Sequence, residues 1–144
     1  MKVITLWQPW ATFIAFGWKT IETRTHKRFF NLLNQTIGIH AGKYWDAGWR
    51  ELTTPYLDLD RLMMIYEMKT SKQIPFSRII CTAKVYKVGY LTLEHSQAAL
   101  INCGFSYVER TGLFLSDVRE LIPPFEVKGH QGIFNVEIPE GVLK

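Results

Sequence analysis

LWQPWATFIAFGWKTIETR, residues 6–24, joins an aromatic helix to a polar strand through a single glycine. Pro9 falls in the first helical turn, where its missing N–H costs nothing. Trp10, Phe13, Ile14 and Gly17 follow at i, i+3, i+4 and i+7, the apolar stripe of a helix from about Gln8 to Phe16. All three large side chains are expected in the core. Gly17 can take the left-handed backbone that ends a helix, and the β-branched run Thr20–Thr25 after it reads as a strand. This turn and strand carry Lys19, Glu22 and Arg24 within six residues. On a strand Glu22 and Arg24 share a face and Lys19 points away. The three converge only if Lys19 lies in the turn before pairing begins, at the mouth of a cleft. Lys19 is a point-charge donor or, when desolvated, a base. Glu22 is an acceptor or base, and Arg24 a planar anion clamp. The plain alternative is a solvated ion pair contributing ~0–1 kcal/mol.

Outward from this segment the elements are short. Met1–Leu6 alternates weakly and Thr36–His40 is β-branched, so both read as strands, with Asn31 and Asn34 in the connection before the second. Tyr44–Thr53 and Tyr56–Met68 read as helices. In the latter, Leu59, Leu62, Met63 and Tyr66 have helical spacing, and Met63–Met64 reads as adaptable core filling. Arg78–Val88 alternates, with Ile79, Cys81, Ala83 and Val85 on the buried side. Leu93–Cys103 reads as a helix stopped by Gly104. Gly112–Leu115 and Gly132–Ile138 read as strands, with an extended crossing at Pro123–Pro124. Trp7 either stacks on a ligand or buries its ring, and burial is the favoured reading. Five or six short strands with helices set apart from them argue for the α+β class.

The chain has 144 residues, enough for a proper core, and we read it as one domain with residues 44–70 as a helical insertion. Its 47% hydrophobic and 21% charged residues are those of a globular protein. The most apolar run, Trp7–Trp18, is broken by Gln8, Pro9, Thr12 and Gly17, so no membrane span is expected. The N-terminus shows no signal peptide. Two cysteines make no disulfide framework, and four scattered histidines without Cys-x-x-Cys make no zinc site. We therefore expect a cytoplasmic protein with no metal and no cofactor. The net charge of +4 is unevenly spread: residues 1–43 hold six Lys/Arg against one acid, Glu22. Lys19, Arg24, Lys27 and Arg28 crowd ten residues around His26, a layout suited to a phosphate-bearing ligand. A second constellation, Lys128-Gly129-His130-Gln131-Gly132, offers a cation, close backbone approach and, in Gln131, a side chain able to read a base edge. Its alternative is a tight turn. His40, at the end of IGIHAGK, is a hydrogen-bonded histidine or a functional one.

LWQPWA followed by G-x-K-x-x-E-x-R resembles the signature of the ASCH domain family of the PUA-like superfamily. IGIHAGK at 37–43, IICTAKVYKV at 79–88 and GLFLSDVRELIPPFEVKGHQGIFNVEIP at 112–139 resemble its later strands, in the right order. The resemblance covers nearly all of the chain except roughly 44–76. It implies a small, mostly antiparallel β-barrel of five to six strands with peripheral helices. The cleft would lie between the first helix, the strand after it and the glycine turn at 128–132.

The same resemblance implies RNA or modified-nucleoside handling. Some small ASCH members hydrolyse the acetyl amide on the exocyclic amine of acetylated cytidine, using the motif lysine and a threonine three residues on. Lys19 matches that lysine, but Glu22 stands where the threonine would be. A nucleophilic-hydroxyl route therefore does not carry over; Glu22 as general base with Lys19 on the oxyanion would replace it, and Thr20 and Thr23 are nearby hydroxyls that could serve instead. Two functions follow, of which the charge layout favours the first. One is an RNA- or nucleotide-binding module with Lys19, Arg24, Lys27, Arg28, Lys128, Gly129 and Gln131 in a basic cleft. The other is a small amidohydrolase with Lys19 and Glu22 as its catalytic pair. The module needs only the charge layout, whereas the enzyme needs a buried Lys19 with a lowered pKa; Lys19 and Glu22 in one enclosed pocket favours the enzyme, an open basic groove the module.

Overall fold

Trp10–Ala15 forms the first helix, α1, and its C-terminus shows how the sequence aims the site. Gly17 takes φ +78°, and the Phe13 carbonyl accepts from both Trp18 N (2.9 Å) and Lys19 N (3.0 Å). The chain is thereby turned before the strand begins. These features come from a computed structural model that describes residues 1–24, 29–104 and 111–143. Lys27 and Arg28 lie outside the described residues.

Six strands make one mixed sheet: β1 Lys2–Gln8, β2 Ile21–Arg24, β3 Thr36–Trp45, β4 Arg78–Tyr90, β5 Thr111–Glu126 and β6 Ile133–Asn135. Their order is β2-β5-β4-β3-β1-β6. Four neighbour pairs are antiparallel, and β1 runs parallel to β3. The expected closed barrel is not formed among the described residues. Its two ends are the four-residue β2 and the three-residue β6, each hydrogen-bonded to one neighbour. Curvature comes instead from irregularities along β4–β5 after Ile79, Thr82 and Val85, where the register slips and the strands bend.

The larger core lies on the face of this sheet that α1 covers, and a smaller cluster of Val3, Ile79 and Leu121 is buried apart from it. Ile4 and Leu6 of β1, Ile37 and Ile39 of β3, and Cys81, Ala83 and Val85 of β4 pack under Ala11 and Ile14 of α1. Phe13 belongs to an adjoining aromatic cluster with Trp49, Leu57, Ile65 and Leu100. Phe13 and Ile14 are fully buried as expected, but Trp10 is only half-buried, because it walls a cavity.

Several expected elements come out shorter or longer. Tyr44 and Trp45 extend β3 rather than starting a helix, so only α2, Trp49–Thr53, remains of that segment. α3 spans Leu59–Thr70, capped by Asp58, which accepts from Arg61 N at 2.8 Å. Its expected apolar stripe is covered in part: Leu62 and Tyr66 are half-buried against the cluster around Trp49 and Ile65, whereas Leu59 and Met63 are exposed, as is Met64, so the methionine pair does not fill the core. The segment 93–103 forms a 3₁₀ turn and a single helical turn, α4 Ser96–Ala99. Leu100 then turns left-handed at φ 59° while Cys103 N donates back to Ser96 Oγ. β5 runs straight through Pro123–Pro124. Cys81 pairs with Glu120 and Ile79 with Phe125, so the prolines fall inside a bulge, where no ladder hydrogen bond is asked of them.

Candidate functional site

Lys19 stands in the turn ahead of β2, the one placement that lets it meet Glu22 and Arg24. Its Nζ donates to the Ala99 carbonyl at 2.6 Å, lies 3.9 Å from Glu22 Oε1, and sits 5.4 Å from the Trp10 ring centroid. Thr20 N donates to Ala98 O, tying the same turn to the end of α4. Glu22 and Arg24 project from one face of β2, and Arg24 Nη2 approaches Glu22 Oε2 to 3.2 Å. Lys19 is 2% exposed and Glu22 7%. The carboxylate is therefore bracketed by two cations with little of it exposed to solvent. Removing one partner of such a group costs far more than the assembled group contributes, about 3–5 kcal/mol.

Arg24 has donors to spare. Its Nε is buried and makes no hydrogen bond among the described residues, Nη2 has only the ion pair with Glu22, and the guanidinium carbon lies 4.6 Å from the Phe29 ring centroid. Buried donors of this kind are costly unless an acceptor meets them, and a carboxylate, carbonyl or phosphate oxygen suits a guanidinium fork.

Two adjoining cavities open here. The inner one, about 380 Å³, is walled by Lys19, Glu22, Thr23, Trp10, Asp46 and Ile101, among others. The outer one, about 530 Å³, is walled by Lys43, Tyr44, His40 and the 128–132 turn. Thr5, Trp7 and Arg24 line both. Lys19, Glu22 and Arg24 thus share one concavity, and Lys128, Gly129 and Gln131 line its outer neighbour. Asp46 shapes the inner wall by accepting from Trp10 Nε1 at 2.9 Å and from Gly48 N at 3.0 Å.

His40 is a structural pin beneath the 128–132 turn. Thr5 and His40 are register partners in the parallel β1–β3 pair, and Thr5 Oγ1 is 3.3 Å from His40 Nδ1. Nε2 lies 2.7 Å from the Val127 carbonyl, which requires the proton on Nε2 and leaves Nδ1 to accept from Thr5. Burial pushes the His40 pKa below its ordinary 6.5; the Val127 hydrogen bond opposes this and nearby His130 adds to it. The unfolded chain therefore takes up the proton first. Stability from this group is present above pH 6.5 and falls as pH drops below it. An NMR titration should show the His40 ring neutral below that ordinary value, with Tm declining over the same range.

The close approach expected at Gly129 is made to His40. A Cβ there would stand 2.6 Å from His40 Cε1 and 3.0 Å from Thr5 Oγ1. Gly129→Ala should push the turn outward and cost about 1–3 kcal/mol, read from urea denaturation. Gly132 has φ +71°, so the turn reading of this segment also holds.

Sequence reasoning missed Lys43, Tyr44 and Asp46, because it put 44–53 in a helix. It also buried Trp7, which is 53% exposed, with its ring centroid 5.5 Å from that of Tyr44. Burial and, secondarily, Glu120 raise Cys81 to about 12, which removes it from thiolate chemistry at neutral pH. Among the described residues no three His, Cys, Asp or Glu side chains group as metal ligands, and no helix is long and apolar enough to cross a membrane.

No protein-family model matches the sequence. Solved structures do. The crystal structure of ASCH from Zymomonas mobilis superposes with a TM-score of 0.58 at 16% identity, over 94% of this chain and 87% of that one. The chain has an ASCH-like fold. Tyrosine-to-phenylalanine and serine-to-alanine variants of the same Zymomonas mobilis protein superpose with TM-scores of 0.56 and 0.54, again at 16% identity and 94% of this chain, over 89% and 87% of theirs. At that identity the likeness speaks for the fold alone.

Proposed function

We propose that this ASCH-like chain is a small amidohydrolase that removes an acyl group from the exocyclic amine of a modified cytidine held in the inner cavity. The observation that carries the reading is the burial of Lys19 and Glu22 together on one wall of a cavity of about 380 Å³. A cavity of that volume falls within the usual range for small-molecule sites. Glu22 takes a proton from water as the water oxygen attacks the acyl carbonyl. Lys19 Nζ stabilises the oxyanion that develops. As the C–N bond breaks, Glu22 returns the proton to the leaving amine, giving the free carboxylic acid and the unmodified base. The test is a chromatographic screen for hydrolysis over N-acylated nucleosides, in which the acylated cytidine should be turned over.

The second reading is an RNA- or nucleotide-binding module. It is favoured by the outer cavity, whose described charged lining residues are Arg24, Lys43 and Lys128, with His40 and His130 beside them and no acid. In it Gln131 would read a base edge and the cations would take phosphates, with Lys27 and Arg28 extending the basic run. Each phosphate contact on a single strand adds about −0.7 to the slope of log K against log salt. Lys128→Ala should flatten the slope by about that amount, measured by fluorescence anisotropy at several salt concentrations.

A further inference from the structure

Trp7 and Tyr44 are exposed beside a sheet that buries most of its large apolar side chains. Trp7 is 53% and Tyr44 54% exposed, and their rings lie 5.5 Å apart at an interplanar angle of 50°. Trp7 sits near the end of β1 and lines both cavities, while Tyr44 and Lys43, near the end of β3, line the outer one. Lys43 Nζ is held 5.2 Å from the Tyr44 ring centroid. Two half-exposed aromatic rings next to a cationic cavity with no acid among its described lining residues are the parts of a single-strand site, in which bases stack on rings and phosphates meet cations. The inner cavity adjoins this site through Trp7 and Arg24, which line both, while Tyr44 lines only the outer one.

We propose that Trp7 and Tyr44 form a stacking site for a flanking base, so that the ligand is a strand of at least two nucleotides rather than a free nucleoside. The inference rests on the reading of the inner cavity as a base pocket and assigns the space outside it. The base to be acted on enters the inner cavity. Its phosphodiester lies in the outer cavity against the Arg24 donors, Lys43 and Lys128, and the adjacent base stacks on the exposed rings. Tyr44 lines the outer cavity alone, so its removal separates the stacking site from the base pocket.

Calorimetric titration of the full chain with cytidine, cytidine 5′-monophosphate and the RNA trinucleotide UCU tests this. Stacking on an aromatic side chain is worth about 1–3 kcal/mol per base, so UCU should bind about 5- to 150-fold more tightly than the monophosphate. Tyr44→Ala should remove most of that advantage and leave the affinity for cytidine, which reaches only the inner cavity, unchanged. Equal affinity for UCU and the monophosphate, or an advantage that survives Tyr44→Ala, overturns the stacking site while the base pocket stands. A UCU advantage in a protein that hydrolyses no acylated cytidine upholds the stacking site and overturns the hydrolase.

Discussion

Lys19→Ala should lower turnover of an acylated cytidine at least 10²- to 10³-fold, the usual cost of removing one oxyanion donor. The effect should fall on kcat. Lys19 Nζ already has Ala99 O and Glu22 as partners, so its gain on binding comes chiefly when negative charge develops on the acyl oxygen. Lys19→Met separates charge from packing, since it keeps an unbranched chain against Trp10. Both variants leave Glu22 beside Arg24, so its charge retains one partner. Circular dichroism should confirm that both stay folded. A variant that folds and turns over at the wild-type rate would remove Lys19 from the chemistry.

Phe13→Ala should cost about 3–5 kcal/mol, read from urea denaturation. Phe13 is fully buried, with ring centroids of Trp10, Trp18 and Trp49 at 5.7, 5.9 and 5.9 Å. Truncation leaves a cavity that three indoles, wedged by their size and by the Trp10–Asp46 hydrogen bond, cannot fill. The loss reaches the site as well. The Phe13 carbonyl holds Trp18 N and Lys19 N, and Trp10 walls the inner cavity. Phe13→Leu, which retains most of the volume, should recover most of the stability.

What the sequence made legible was local. Gly17 as a helix stop, Lys19 in the turn, and Glu22 with Arg24 on one face of β2 follow from backbone geometry within ten residues, and the structure has all three. The burial of Cys81, Ala83 and Val85 in one cluster follows from simple alternation, but Ile80 and Thr82 are buried too, and Ile79, ahead of the register slip, packs with Val3 and Leu121 instead. What failed depended on partners far along the chain. Trp45 pairs with Gln8, so Tyr44 and Trp45 continue β3 although WDAGWRELT favours a helix. The length of β5 depends on β4 supplying a register slip where the prolines fall. Barrel closure depends on whether two very short end strands meet, which no local pattern encodes. The exposure of Trp7 reflects its place between two cavities, and hydrophobicity alone points the other way.

The reading of the site as catalytic meets its most direct test in a one-dimensional proton NMR time course of the protein with N4-acetylcytidine. The acetyl methyl resonance should be replaced by that of free acetate, with cytidine appearing in equal amount. Glu22→Gln, which keeps the shape and removes the base, should abolish the change. An acetyl resonance that persists unchanged with the folded wild-type protein would contradict the account.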